Sequence, residues 1–439
     1  MEEQTQLAEE TEVTQAATDG EAQKPPKKKV KLWVKITSIT LACIVGVIAI
    51  LGFAFLGVWH NEISTLSNFD LIRERNADHD DAAVYSMKVK GGYYFDDFLS
   101  SGGAKTDAEL ISFISNHVTR GLIKMNIQET DLGCASFTAV TESGDRLFAR
   151  NYDNESSNVC ITLTNPGGGR HASFSTADLR YLGLDPQKDV EGLMNNITCL
   201  AAPYVPLDGI NDAGVSCSVL MTYQGEPEKG NAVATDQKDP NKNDITTTTM
   251  MRMILDYADD VDEAIELVKK YNFHDSANTS FHYMIADATG KSAILEWVNG
   301  TDATDNDGAA RELVVTYNTG DDNIGEREGA CDFQWVTNFI ILPGYYESDD
   351  DKAGLDRYDV IYEDLSATNG VVKDEWAAMD LLEKVGRRTY KPGFCVTVHS
   401  AIYNLTQKSV LWVSNENFND STAIFEYSFA TGKLKTVTR

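Results

Sequence analysis

One uninterrupted apolar run stands out in the hydropathy pattern near the start of the chain. Residues 36–58 contain no charged side chain over 23 positions, and roughly 20 apolar helical residues span a bilayer. Six lysines lie between residues 24 and 35, whereas no Lys or Arg follows the run before Arg73. Because basic residues stay on the cytoplasmic side, we predict an uncleaved signal anchor over residues 36–59 in the cell membrane. The N-terminus would be cytoplasmic and the C-terminal part extracellular.

A cleaved signal peptide is the alternative interpretation of this run. Its apolar core would be only about 7 to 15 residues long, which is shorter than the run observed. Residues 1–23 are acidic and rich in Thr, Gln and Ala, with almost no large apolar side chain, and such segments stay disordered. We therefore predict that residues 1–35 form a disordered cytoplasmic tail that ends in a basic juxtamembrane cluster.

The pattern of apolar positions changes from helical to strand-like near residue 133. Apolar residues recur at helical intervals within residues 109–127. Thr106 and Glu109 can form a capping box at the start of that helix. We predict that residues 60–133 form a largely helical pre-segment in front of a domain that covers residues 134–439.

Strand patterns dominate from Cys134 onward. Two hairpins are predicted, one from 134–140 and 146–152 and the other from 280–287 and 292–298. The other predicted elements are helices at 246–271, 355–366 and 374–386 and strands at 395–404, 409–415 and 423–429. This order of strands and helices predicts an α+β fold in which helices cover sheets.

The charge balance and the motif content exclude several classes of function. With 38 Lys+Arg against 67 Asp+Glu, the net charge is -29, so neither nucleic acid nor an anionic lipid surface is an expected partner. The sequence contains no HExxH, paired CxxC, P-loop or GxGxxG motif. We therefore predict no metal and no cofactor, and we interpret the glycines at 167–169 as a hairpin turn.

Cys134 is the first candidate for chemistry, because it opens a predicted strand directly after Gly133. Arg150 lies across the hairpin, and Asp153 follows three residues later. A cysteine attacks a carbonyl as its thiolate, which a nearby guanidinium favours. A chain-terminal amine has a pKa of roughly 7.7 to 8.0 and could act as the base, held in place by Asp153. A buried core cysteine and an ordinary Arg–Asp pair are the plainer interpretation.

The sequence around Cys134 resembles the start of the choloylglycine hydrolase and penicillin V acylase family of N-terminal-nucleophile hydrolases. The segment GCASFTAVTESGDRLFARNYD, residues 133–153, has the family's Cys, a strand, a GD turn and the RNxD motif. Four further segments follow in the family's order: DGINDAGVSC (208–217), NTSFHYMIADATGKSAILEW (278–297), VTN (336–338, without the family's Pro) and DRYDVIYEDL (356–365). The match of the last is weaker, because Asp356 replaces the usual Ser. The resemblance covers about residues 133 to 430.

The resemblance implies a four-layer αββα sandwich, preceded here by a single transmembrane helix, and a cysteine amidase mechanism. Cys134 would be the nucleophile, and its own α-amino group would be the base. Arg150 and Asp153 would position and polarise that pair. The implied reaction is hydrolysis of the C–N bond of a linear N-acyl amide through a thioester. Conjugated bile acid, penicillin V, and lipid or amino-acid amides are the substrate types of such enzymes.

Three more residues receive roles only through the resemblance. The backbone N–H of Asn211 and the side-chain amide of Asn278 would form the oxyanion hole, and Arg357 would complete the charge network near the thiol. Each residue also has a plainer interpretation, since Asn is common in turns and caps and Arg357 can lie on a helix surface. Their order after Cys134 favours the site roles.

The position of Cys134 inside the chain means that this mechanism requires cleavage of the Gly133–Cys134 bond. Attack by the thiol on the preceding carbonyl is sterically easy next to glycine. The long pre-segment resembles the arrangement of acid-ceramidase-like relatives, so the N-terminal and C-terminal chains are expected to stay associated after self-cleavage. A homo-oligomer is compatible with the resemblance.

Three alternatives remain open at this point. An N-acyltransferase would use the same nucleophile with an amine acceptor in place of water. A non-catalytic surface binding protein could reuse the fold. A papain-like peptidase would need a catalytic histidine, for which His282 and His399 are the candidates.

Overall fold

The computed structural model describes residues 31–122, 133–222, 234–299, 308–318, 333–346, 350–390 and 395–439. The chain divides into two units, residues 1–59 and residues 60–439. Within the described residues of the first unit, one helix, α1 (Leu32–Val58), carries an apolar stretch over Trp33–Val58 that is long enough to cross a membrane. This agrees with the predicted single helix in front of the domain.

The helices of the second unit are short and mostly amphipathic. They are α2 (His60–Leu66), α3 (Phe95–Ser100), α4 (Asp107–His117), α5 (Leu193–Cys199), α6 (Thr247–Tyr257), α7 (Val261–Lys269), α8 (Leu355–Ala367), α9 (Glu375–Lys384) and α10 (Arg387–Tyr390). Side-chain caps fix several of their starts. The Thr106 side chain accepts from the Glu109 N–H at α4, and the Asp374 side chain accepts from the Ala377 N–H at α9.

The strands run through most of the second unit. They are β1 (Phe69–Arg73), β2 (Val84–Lys88), β3 (Gly133–Thr141), β4 (Arg146–Asn154), β5 (Val159–Thr164), β6 (Ser173–Asp178), β7 (Asp208–Asn211), β8 (Ser216–Met221), β9 (Asn243–Thr246), β10 (Tyr271–His274), β11 (Phe281–Ala286), β12 (Ser292–Asn299), β13 (Arg311–Tyr317), β14 (Trp335–Val336), β15 (Val371–Val372), β16 (Val396–Asn404), β17 (Ser409–Ser414), β18 (Ile424–Ser428) and β19 (Lys433–Thr436).

Two large sheets form the centre of this unit. Within the described residues, nine strands pair in the order β1-β2-β5-β6-β7-β8-β11-β12-β13, and a second sheet has the order β14-β3-β4-β16-β17-β18-β19, with β15 beside β3. The sheets face each other where β3 packs on β8. The Ser136 and Ser218 hydroxyls form a hydrogen bond of 3.0 Å across that interface.

Helices cover the outer face of each sheet. Helix α6 packs on β7 and β8, and α7 packs on α6 and β10, while α8 and α9 pack on β3, β4 and β16. The order is therefore helix, sheet, sheet, helix, which confirms the predicted αββα sandwich. The buried apolar side chains of the described residues form one continuous core, which includes Phe137, Ile161, Leu220 and Trp412.

The two predicted hairpins form as expected, and two of the predicted helices differ. The helix predicted over 246–271 is broken into α6 and α7 at residues 258–260, where Asp260 caps α7 by accepting from the Glu263 N–H. Its last residue, Tyr271, already begins β10. The helix predicted over 109–127 ends at His117, and residues 123–132 lie outside the described residues.

The pre-segment, residues 60–133, is less helical than predicted, because it contributes two strands to the nine-stranded sheet. Strand β2 pairs in parallel with β5, and β1 pairs with the outer edge of β2. Strand β2 is largely buried, and Met87 is fully buried in the core. A strand of five residues buried on both faces lacks the alternation that marks a half-buried strand.

Candidate active site

The β3–β4 hairpin positions Cys134 between the sheets. Cys134 is fully buried and lies opposite Tyr152, while Gly133 lies opposite Asp153. Because side chains alternate along a strand, Arg150 and Tyr152 face the nine-stranded sheet, whereas Asn151 and Asp153 face the helices. The hairpin thus places Arg150 on the sulfur side of Cys134 and Asp153 near its backbone nitrogen.

Arg150 holds the sulfur side of the site. Its Nη2 donates to the Val219 carbonyl at 2.6 Å, and Cys134 Sγ lies 3.9 Å from the same oxygen. Its Nε lies 3.5 Å from Asp208 Oδ2, and both side chains are fully buried. Among the described residues its Nη1 is buried without an oxygen or nitrogen partner, so its two N–H groups are available to the thiol and to a ligand beside it.

Asp208 is itself fixed by two aromatic groups from β16. His399 Nε2 lies 2.8 Å from Asp208 Oδ2, and the Tyr403 hydroxyl donates to Asp208 Oδ1. Burial acts to raise the pKa of the Asp208 carboxyl, but His399 and Arg150 together hold it below its ordinary value. The carboxylate therefore stays charged and orients Arg150.

Asn338 holds the nitrogen side of the site. Its Oδ1 accepts from the Cys134 backbone N–H at 3.0 Å and from Arg357 Nη2 at 2.8 Å. Its Nδ2 donates to the Met221 carbonyl at 2.8 Å, which fixes the orientation of the amide. Arg357 also donates from Nη1 to the Cys134 carbonyl at 2.9 Å. The backbone of the candidate nucleophile is therefore held at both its N–H and its C=O.

Asp153 accepts from three different elements. Arg357 Nη1 of α8 donates to Oδ2 at 2.9 Å, and Arg387 Nε of α10 donates to the same oxygen at 3.0 Å. Thr397 of β16 donates from Oγ1 to Oδ1 at 2.7 Å. A fully buried carboxylate with two arginines and a hydroxyl is well compensated for its desolvation.

The surroundings of the thiol favour its protonated form in the uncleaved chain. Burial raises the pKa of Cys134 above its ordinary value, and the charge of Asp153 acts in the same direction. Arg150 and Arg357 oppose this rise, Arg150 also through a hydrogen bond, but only in part. The arrangement therefore holds a neutral thiol next to two cations that would stabilise its thiolate.

The structure brings together four of the six residues predicted for the site, namely Cys134, Arg150, Asp153 and Arg357. Asn211 and Asn278 do not join them. The Asn211 backbone N–H donates to the Val215 carbonyl, and its side chain donates to the Ala258 carbonyl and accepts from the β7–β8 turn. Asn278 is exposed in a short 3₁₀ turn and lines a separate cavity with Asp107 and His274. No hydrogen bond between described residues connects either asparagine with Cys134.

The two histidines considered for a papain-like site have other partners. His399 lies on Asp208 and stacks on Trp412, with ring centroids 5.3 Å apart. His282 lies between Glu296, at 3.0 Å, and the Thr337 carbonyl, at 2.8 Å. Among the described residues neither ring forms a hydrogen bond with Cys134, so the geometry does not support a Cys–His pair.

Sequence reasoning missed three residues that complete this site: Asn338, Arg387 and Thr397. Asn338 lies in the VTN segment, which resembles a family strand, but no role followed from that resemblance. Arg387 and Thr397 carry no local motif, and they reach Asp153 only through tertiary packing. Among the described residues, no group of three or more His, Cys, Asp or Glu side chains could hold a metal ion.

The buried thiol of Cys134, together with Arg150 and Asp153, lies on a chain segment that a family model recognises. Residues 134–302 match the model of the linear amide C–N hydrolases, choloylglycine hydrolase family. This match confirms the resemblance to the choloylglycine hydrolase family that the motifs predict. It supports an enzyme, a hydrolase that acts on linear amide C–N bonds. No curated protein matches the sequence.

Several solved structures are similar to this chain at low sequence identity. A variant of the conjugated bile acid hydrolase from Clostridium perfringens has a TM-score of 0.43 and 17% identity, over 70% of this chain and 97% of that chain. Penicillin V acylase from Agrobacterium tumefaciens has a TM-score of 0.39 and 15% identity, over 68% and 86%. A Caenorhabditis elegans ortholog of N-acylethanolamine-hydrolyzing acid amidase has a TM-score of 0.35 and 14% identity, over 62% and 93%.

Proposed function

We propose that this protein is a membrane-anchored cysteine amidase that hydrolyses linear N-acyl amides after it has cleaved its own Gly133–Cys134 bond. The observation that carries the proposal is that Cys134 has two sets of polar partners, one at its sulfur and one at its backbone nitrogen. Its sulfur lies beside Arg150, and its backbone nitrogen donates to Asn338, next to Arg357 and Asp153. A structural core cysteine requires neither set of partners.

Self-cleavage would proceed as an N-to-S acyl shift. The thiol sulfur bonds to the Gly133 carbonyl carbon, the C–N bond to Cys134 breaks, and the thiol proton passes to the departing nitrogen. Water then hydrolyses the thioester, which leaves a carboxylate at Gly133 and a free amine and thiol at Cys134. Gly133 suits this step because a side chain there would clash with Arg387 Nη2 and crowd Asp153.

Turnover would use the amine produced by that cleavage. One N–H of the neutral amine donates to Asn338 Oδ1, as the amide does now, and this directs the lone pair so that it can take the thiol proton. The thiolate attacks the amide carbon of the substrate, the departing amine takes the proton, and water hydrolyses the thioester. Arg150 Nη1, which is buried and unpartnered among the described residues, is placed to stabilise the thiolate and the oxyanion.

An apolar cavity beside the site supports an apolar acyl group in the substrate. It is small, with a volume of about 40 Å³, and is lined by Tyr181, Leu207, Phe281 and Val219, whose carbonyl contacts the thiol. Apolar walls next to a nucleophile favour an alkyl or aryl acyl chain over a charged one, because a charge there would lose its hydration. The amine part of the substrate would leave by the polar side.

The apolar helix supports an anchor, and the pre-segment supports retention of the cleaved chain. The lysines before the helix favour a cytoplasmic N-terminus and an extracellular catalytic domain. Strand β2 lies inside the sheet, between β1 and β5. We therefore expect the chain that ends at Gly133 to remain bound to the chain that begins at Cys134.

N-terminal sequencing and intact mass of the full chain in detergent micelles test the proposal. Wild type should yield a chain that begins at Cys134, and Cys134→Ala should yield the uncleaved chain. Cys217→Ala, which changes another fully buried thiol, is the matched control and should be cleaved like wild type. The cleaved protein should release amine from a panel of N-acyl amides that includes decanoyl and phenoxyacetyl derivatives.

The result that overturns the proposal is equally specific. An uncleaved wild-type chain that hydrolyses none of these amides would leave Cys134 without a free amine and without an activity. Cleavage that persists in Cys134→Ala would assign the cut to a different protease, and Cys134 would then lose its role in processing.

A further inference from the structure

Two consecutive arginines, Arg387 and Arg388 in α10, point to different parts of the molecule. Arg387 Nε donates to Asp153 Oδ2 at 3.0 Å, inside the candidate site. Arg388 Nη2 donates to Asp81 Oδ1 at 3.0 Å, and its Nη1 donates to the His79 carbonyl at 2.6 Å. Asp81 and His79 belong to the pre-segment, so adjacent residues connect the pre-segment with the reaction centre.

The other contacts of Asp81 restrain the position of Arg388. Its side chain has no solvent exposure, and its second oxygen accepts from Asn417 Nδ2 at 2.9 Å and from Arg73 Nη2 at 3.3 Å. A buried carboxylate with three cationic or amide donors is a rigid anchor, because each donor restrains the others. Arg388 therefore has little freedom to leave the pre-segment.

Glu416 provides a second connection between Arg388 and Asp153. It accepts from the Arg388 backbone N–H at 2.9 Å and from the Thr397 backbone N–H at 3.1 Å. The Thr397 hydroxyl then accepts from the Arg387 N–H at 3.0 Å and donates to Asp153 at 2.7 Å. A shift of Arg388 would thus displace Arg387 and Thr397, which donate hydrogen bonds to the two oxygens of Asp153.

We propose that Asp81 is a positioning residue for the reaction at Cys134, acting through Arg388 and Arg387 on Asp153. The inference rests on the proposed self-cleaving amidase. It gives the pre-segment a function that continues after cleavage. In addition to carrying the membrane anchor, the segment holds Arg387 and Asp153 in position at the active site. Loss of the segment, or of the Asp81 charge, would loosen Arg387 and Asp153 without removing either residue.

The first part of the test measures self-cleavage, which needs no external substrate. The full chain is synthesised cell-free in lipid nanodiscs, and the appearance of the new N-terminus at Cys134 is followed by mass spectrometry. Asp81→Asn should slow cleavage about tenfold, since misplacement of a reacting group by about 1 Å can reduce a rate by that much or more. Asp81→Glu, which restores the charge, should recover part of the rate.

Asp420→Asn is the matched control, because Asp420 binds Arg73 at 2.9 Å in the same cluster but makes no hydrogen bond to Arg388. It should cleave within twofold of wild type. An equal loss of rate in Asp420→Asn and Asp81→Asn would assign the effect to general loosening of the cluster and overturn the proposal. A rate for Asp81→Asn within twofold of wild type would overturn it as well.

The second part of the test is independent of chemistry, because it uses the uncleaved Cys134→Ala chain. Hydrogen–deuterium exchange should show faster exchange at the Arg387, Arg388 and Thr397 amides when Asp81→Asn is added, and no change with Asp420→Asn. If wild type does not cleave itself, the proposed function fails, and this measurement still decides the coupling. Unchanged protection at these three amides would overturn the inference whatever the activity.

Discussion

Replacing Thr397 with valine should destabilise the protein measurably, although the two side chains have nearly the same shape. The Thr397 hydroxyl donates to buried Asp153 at 2.7 Å and accepts from the Arg387 N–H at 3.0 Å. A hydrogen bond to a charged group contributes about 1.5–3 kcal/mol, and valine leaves one oxygen of Asp153 with no donor from this position. We expect the free energy of unfolding to fall by about 2.5 kcal/mol.

The corresponding change in melting temperature follows from the size of the folding unit. Residues 60–439 unfold with an entropy of about 2.1 cal/mol/K per residue, or roughly 0.8 kcal/mol/K for the unit. A loss of about 2.5 kcal/mol therefore lowers Tm by about 3 °C. Differential scanning calorimetry of the uncleaved Cys134→Ala chain in micelles, with and without Thr397→Val, measures this shift.

Thr222→Val is the matched control for this experiment. The Thr222 hydroxyl is also buried, but it has no hydrogen-bond partner among the described residues. Its removal should leave Tm unchanged or raise it slightly, because an unpaired buried hydroxyl is itself a cost. Equal values of Tm for Thr397→Val and Thr222→Val would refute the reasoning that Thr397 stabilises a charged Asp153.

Three further predictions follow from the pKa values and from the sheet. Because burial raises the pKa of the Cys134 thiol, the thiolate fraction should rise about tenfold per pH unit below pH 8.5. The self-cleavage rate should rise in the same proportion from pH 6 to 8. A rate that reaches a plateau below pH 7.5 would contradict this prediction. Burial also raises the pKa of Asp275 to about 7, so the folded chain keeps a proton that the unfolded chain releases near pH 4. Stability should therefore fall as pH rises from about 4 to 7, and Asp275→Asn should flatten that fall in Tm, whereas Asp70→Asn, on the exposed edge strand, should not. Finally, Ser86 of β2 pairs with both β1 and β5, so Ser86→Pro should break the hydrogen-bond ladder. Gel filtration of the cleaved protein should then show the N-terminal chain separated from the catalytic chain. Ser86→Val should keep the two chains together.

The part of the site that could be predicted lies within one hairpin. Cys134, Arg150 and Asp153 are close in sequence, and the turn between β3 and β4 fixes their register, so local pattern and motif suffice. Arg357 could be added only because a helix motif follows at the expected place in the family order. Its actual contacts, with the Cys134 carbonyl and Asn338, were not implied by that motif.

The remaining site residues could not be predicted because long-range packing places them. Arg387 and Thr397 are more than 200 residues from Asp153 in sequence, and neither lies in a pattern that distinguishes it from a surface Arg or a strand Thr. Asn211 illustrates the opposite situation. Its position in a turn motif attracted a site role, but the turn itself uses both its backbone N–H and its side chain.

The fold was predictable where elements are regular and long, and less so at interruptions. Alternation identified the hairpins and the closing strands. The break between α6 and α7 was missed because good helix formers flank it on both sides, although Asp260 is a strong N-cap residue. Strand β2 was missed because a short strand in the interior of a sheet carries no periodic signal of its own.

The parallel pairing of β2 with β5 also has a consequence for how long the enzyme would stay at the cell surface. In the proposed function, cleavage at Gly133 would sever the covalent connection between the anchor and the catalytic chain and leave the pairing of β2 with β5, together with ion pairs such as Asp81–Arg388, as the tether. Release of the catalytic chain would then require β2 to separate from β5 and these ion pairs to break, so its rate is governed by local unfolding of the pre-segment. Heat, denaturant or a competing strand would shed the enzyme without any second protease.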